Sequence, residues 1–72
     1  MPKGTIKWFN EGKGMGFIVP EEGGADVFLH VTSVEKSGLS SSDLVDERAV
    51  WYELMEDRKG KMAAGTLRLL DR

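Results

Sequence analysis

The 72-residue sequence contains no cysteine, which excludes disulfide staples and thiolate metal sites and fits a reducing compartment. It has one histidine, His30, so the usual zinc ligand sets cannot be assembled. No apolar run approaches the ~20 residues of a membrane span. The start, Met1-Pro2-Lys3-Gly4, lacks the apolar stretch of a secretory signal. A cytoplasmic protein with no membrane partner and no cofactor is expected. There is no Ser/His/Asp arrangement, and GKGMGF at 12–17 is neither a Walker loop nor GxGxxG, because Phe17 stands where the last glycine would be. The sequence therefore reads as a non-enzyme without a small-molecule substrate. Aromatic residues are scarce, at three Phe, two Trp and one Tyr, so the position of each one matters.

A chain of this length makes one domain, expected over residues 1–72. It buries only about 60% of its unfolded surface, and the net stability of such a core is roughly 3–5 kcal/mol. The formal charge of -2 is no signature of nucleic-acid binding, but its distribution is informative. Residues 1–20 carry a balance of +2, residues 21–57 of -8 and residues 58–72 of +4. Basic ends folded side by side would make a local positive face beside an acidic middle.

Glycines and polar clusters punctuate short apolar runs, the pattern of an all-β chain. Strands are expected from Thr5 to Asn10, Gly14 to Val19, Asp26 to Val31, Ala49 to Met55 and Met62 to Leu70. Glu11-Gly12-Lys13, Glu21 to Ala25 and Asp57-Arg58-Lys59-Gly60 read as turns. Pro20 ends the second ladder, having no N–H to donate. The serine-rich Thr32 to Glu47 reads as a long loop with one helical turn. Five short strands bury their apolar faces most simply by curling into a small barrel. Ile6, Ile18, Val27, Leu29, Val50, Tyr52, Leu54 and Leu67 are expected to fill it.

Strand alternation then sets an outer face. Lys13, Met15 and Phe17 share one side of the second strand, opposite Gly14 and Gly16. Phe28 and His30 share one side of the third, and a five-residue link makes these two strands antiparallel neighbours. Trp8 borders them from the first strand, its direction depending on whether that strand bulges. Each ring left in water forfeits about 1.5–3 kcal/mol of possible burial, comparable with the whole net stability of the domain. Rings flanked by Lys7 and Lys13 suit unpaired bases, which stack for about 1–3 kcal/mol each, while lysines neutralise phosphates. Lys59, Lys61 and Arg58 could reach a passing strand. The acids Glu35, Asp43, Asp46 and Glu47 would repel one and so border the site. Trp51 faces outward on the fourth strand with no clear partner. A protein-binding barrel is the rival reading, favoured by Trp51 and the acidic middle. An RNA-recognition motif needs two helices that this chain cannot supply.

KGTIKWFN, KGMGFI and VFLHV, with a closing AAGTL at 63–67, resemble the bacterial cold-shock proteins over almost the whole chain. The resemblance implies a five-stranded antiparallel OB-fold barrel that binds single-stranded RNA and DNA, with an RNA-chaperone or antitermination role. It implies contacts from Lys7, Trp8, Lys13, Phe17, Phe28 and His30, with Phe9, Asn10 and Asp26 at the edges of the site, on a protein read as a monomer.

Three positions depart from the family pattern. Met15, Val31 and Leu39 stand where relatives usually carry aromatics, and the loop after Val31 is about two residues longer. A thioether can lie against a base but offers no ring face. Met15→Phe should therefore tighten binding of a short pyrimidine oligonucleotide about tenfold, one stack at ~1.4 kcal/mol. Unchanged or weakened binding in a calorimetric titration would refute this.

Overall fold

The computed structural model describes residues 2–44, 47–56 and 59–70. Its strands are β1 (Lys3–Asn10), β2 (Met15–Pro20), β3 (Val27–His30), β4 (Ala49–Glu56) and β5 (Met62–Leu69). They close a barrel in the order β1-β2-β3-β5-β4, the all-β architecture expected from the strand pattern. Four ladders are antiparallel; the fifth, β3 with β5, is parallel, placing Phe28 opposite Ala63 and Leu29 opposite Ala64. Asp57 and Arg58 of the expected last turn, and the loop acid Asp46, lie outside the described residues.

Seven of the eight expected interior residues, Ile6, Ile18, Val27, Leu29, Val50, Tyr52 and Leu67, are at most 5% exposed. Leu54 departs from this, at 45% exposed. β1 flanks β4 only from Ala49 to Trp51, and the β4–β5 register shifts between Tyr52 and Leu54. From there the hairpin runs past the barrel wall, and Leu54 loses the neighbour that would have covered it.

The third strand stops at His30, one residue short of expectation, because His30 caps α1 (Val31–Lys36). Its backbone is extended, and its Nδ1 accepts a hydrogen bond from the Thr32 N–H at 3.2 Å. The serine-rich stretch is more ordered than a loop. Val34 and Leu44 are buried with the barrel core, and Ser41–Asp43 form a 3-10 turn. Serine hydroxyls tie α1 to β5: Ser33 Oγ donates to the Ala64 carbonyl at 2.7 Å, and Ser37 Oγ accepts from the Leu67 N–H at 2.7 Å. Their value lies in pairing backbone groups at the rim of the barrel that would otherwise be buried unsatisfied.

Gly16 of β2 sits directly against β1, opposite Phe9. A Cβ there would meet the Trp8 carbonyl and come within 2.8 Å of both Phe9 Cα and Phe9 Cδ1. Backbone cannot yield as a flexible side chain can, so Gly16→Ala should destabilise the barrel by about 1–3 kcal/mol. Urea unfolding of the variant with an unchanged midpoint would show that the approach is not tight.

Candidate nucleic-acid interface

The outer face is built by one irregularity in β1. Between Ile6↔Ile18 and Trp8↔Phe17 the register shifts, so Lys7 has no residue opposite it on β2. Ile6 therefore points into the core and Trp8 points out, although regular alternation would put both on one side. Past the bulge the pleat resumes: Phe9 lies opposite Gly16 and packs against the core, and Asn10 lies opposite Met15. Phe9 thus faces away from the rings and supports them from behind.

Trp8, Phe17, Phe28 and His30 form a continuous row across β1, β2 and β3. Ring centroids are 5.3 Å apart for Trp8–Phe17, 5.7 Å for Phe17–Phe28 and 6.2 Å for Phe28–His30. Successive planes are tilted by 63°, 69° and 53°, so the row is a series of separate platforms and not one flat wall. The three larger rings are half-buried and His30 is exposed. Met15 extends the row, opposite His30 in the β2–β3 register.

Several lysines surround the row. Lys7 Nζ is 2.8 Å from Asp26 Oδ2, an ion pair beside the rings that a phosphate would have to compete with. Lys13 is exposed, its backbone N–H held at 3.0 Å by Asn10 Oδ1, so Asn10 shapes the turn that presents Lys13. Lys59 and Lys61 line an open groove of about 1040 Å³ together with Phe17, Phe28, Leu54 and Met62. Leu54 and Met62 were not anticipated here, since their strand alternation gives no sign of the overhang. Tyr52 borders the same groove, and burial, with Glu22 nearby, raises its phenol above the usual tyrosine range.

Other expected features fall elsewhere. Leu39 is half-buried and packs against the core. Val31 is half-buried, its N–H donating to the Gly14 carbonyl at 2.9 Å. Asp43 is engaged by Ser40 through its N–H and hydroxyl. Trp51 is half-buried on β4, away from the row, with Lys3 Nζ 5.3 Å from its ring centroid.

A row of tilted rings crossing the first three strands of a five-stranded barrel invites comparison with known families. The family model for the 'Cold-shock' DNA-binding domain matches residues 2–69. The chain belongs to the cold-shock domain family. A probable cold shock protein (y4cH) of Sinorhizobium fredii is 53% identical over 68 residues, covering 93% of this chain and 96% of the relative. Cold shock protein CspA of Rhizobium meliloti is 48% identical over 69 residues, covering 94% and 97%. Cold shock-like protein CspE of Escherichia coli is 42% identical over 67 residues, covering 93% and 94%. The cold-shock domain is a nucleic-acid-binding module and not an enzyme. Among the described residues no helix is long and apolar enough to cross a membrane.

Within this cold-shock domain Phe17 lies inside the row, touching both Trp8 and Phe28, whereas His30 touches Phe28 alone. Phe17→Ala should cost more affinity for oligothymidine than His30→Ala at its end: about tenfold or more against a few-fold. Equal losses in parallel calorimetric titrations would mean that bases do not use the row as a unit.

Proposed function

We propose that this cold-shock domain, one domain over residues 1–72 and a cytoplasmic monomer, holds single-stranded RNA and DNA open as an RNA chaperone or transcription antiterminator. The observation that carries this reading is the spacing of the rings. At 5.3–6.2 Å they stand farther apart than the ~3.4 Å rise of stacked bases along a strand. A strand can place one base on each ring only if its bases part from each other and from any pairing partner. Duplexes, whose base faces are covered, are excluded.

Trp8, Phe17, Phe28 and His30 take bases, and Met15 takes one more by its thioether. Lys7, Lys13 and Lys59 meet phosphates. Asp26, freed when a phosphate takes Lys7, is placed to accept from a base amine, and Asn10 and Phe9 hold the site's shape from its edge and back. No nucleotide triphosphate is needed. Binding only the melted form shifts a hairpin's equilibrium toward single strand by mass action. The same act serves chaperoning and antitermination, because both need an RNA segment kept from pairing. The rival reading, a protein-docking barrel, draws less support from Trp51, which is half-buried with Lys3 Nζ over its ring.

Affinity for oligothymidine should fall with salt, with a log–log slope of about -2 if three lysines meet phosphates at ~0.7 each. A marginal hairpin labelled at its ends should open as protein is added. A flat salt response, or equal affinity for duplex and single strand, would refute the reading.

A further inference from the structure

Among the described residues the hydrophobic core contains no methionine: its buried members are Ile, Val, Leu, Tyr and Ala. The three methionines at described positions are all at or near the surface instead. Met55 is 49% exposed, Met62 is 40% exposed and Met15 is half-buried. Two of them meet the site. Met15 lies opposite His30 at one end of the ring row, and Met62 lines the groove shared by Phe17 and Phe28. Met55 does not line that groove; its sulfur lies over Gly65. With no cysteine in the chain, these thioethers are its most readily oxidised sulfurs.

We propose that Met15 and Met62 are sites of reversible oxidation by peroxide, and that their sulfoxides weaken nucleic-acid binding without unfolding the barrel. The inference rests on the single-strand reading above. In the step, a thioether sulfur attacks one peroxide oxygen and the O–O bond breaks. The sulfur loses two electrons and keeps that oxygen, and the leaving hydroxide takes the proton carried on the transferred oxygen to become water, leaving the sulfoxide. Reduction of the sulfoxide by a dithiol, through a methionine sulfoxide reductase, returns the thioether with release of water and a disulfide. The effect on binding follows from chemistry at the contact. A soft apolar sulfur suited to a base face becomes a dipolar S=O whose oxygen repels phosphates and demands hydration. The fold is spared because neither side chain belongs to the buried core.

The test compares reduced and peroxide-treated protein, with oxidised positions located by peptide mass spectrometry and fold followed by circular dichroism. Unoxidised protein must first bind oligothymidine; failure there sinks the single-strand reading and not this one alone. Oxidised protein should keep its fold, bind about three- to tenfold more weakly, and recover after reductase treatment. Met15→Leu/Met62→Leu protein should show the same affinity before and after peroxide, the ratio cancelling any change in its starting affinity. Met55→Leu should leave the loss intact. Bound oligothymidine should slow oxidation at Met15 and Met62 but not at Met55. Unchanged affinity after full oxidation, a loss that tracks Met55, or a loss that accompanies unfolding would overturn the proposal.

Discussion

Lys7 has no residue opposite it on β2, and the outer face depends on that vacancy. A strand has only two sides, so one extra residue exchanges them for everything that follows. Before the bulge Ile6 is inward; after it Phe9 is inward and Trp8 is free to join Phe17. The exchange works only if β2 can receive Phe9, and Gly16 provides the room. A side chain at position 16 and a ring at position 9 would claim the same space. Bulge, glycine and inward phenylalanine are therefore one device, whose product is a tryptophan kept out of the core of a very small protein.

Exposure of these rings is tempered by their contacts. Trp8, Phe17 and Phe28 meet edge to face and His30 lies tilted beside Phe28, so part of every ring is covered in the free protein. The tilt leaves distinct surfaces at spacings that a stacked strand cannot match. Positive charge beside the rings is partly engaged: Lys7 is held by Asp26, and the proposed phosphate contact would exchange that carboxylate for a phosphate. Exposed ion pairs of this kind are worth little, about 0–1 kcal/mol, so the exchange is easily made.

Much of this was legible in the residues. Alternation in GFIVP and DVFLH placed Phe17 and Phe28 outward with Ile18, Val27 and Leu29 inward, because a strand's period of two leaves little freedom once one face is apolar. Other features depend on register across strands, which no single segment encodes. Leu54 alternates with Val50 and Tyr52 like a core residue, yet it lies beyond the point where β1 stops covering β4. Val34 and Leu44 lie in a stretch that reads as a serine-rich loop, yet they are buried with the barrel core. The serines that surround them looked like loop composition and are instead hydrogen-bonding partners for β5. His30 was legible as part of the outer face but not as a helix cap, since histidine is not among the usual capping residues.

The parallel ladder has a consequence for assembly. The row of rings lies within Trp8 to His30, on strands joined by short turns. Shutting the barrel requires Phe28 and Leu29 to find Ala63 and Ala64, far along the chain. Chain entropy makes local pairings inexpensive and distant ones slow. The row of rings proposed to meet bases therefore belongs to the locally paired part of the molecule, and the distant closure sets how long that surface must wait before it is rigid.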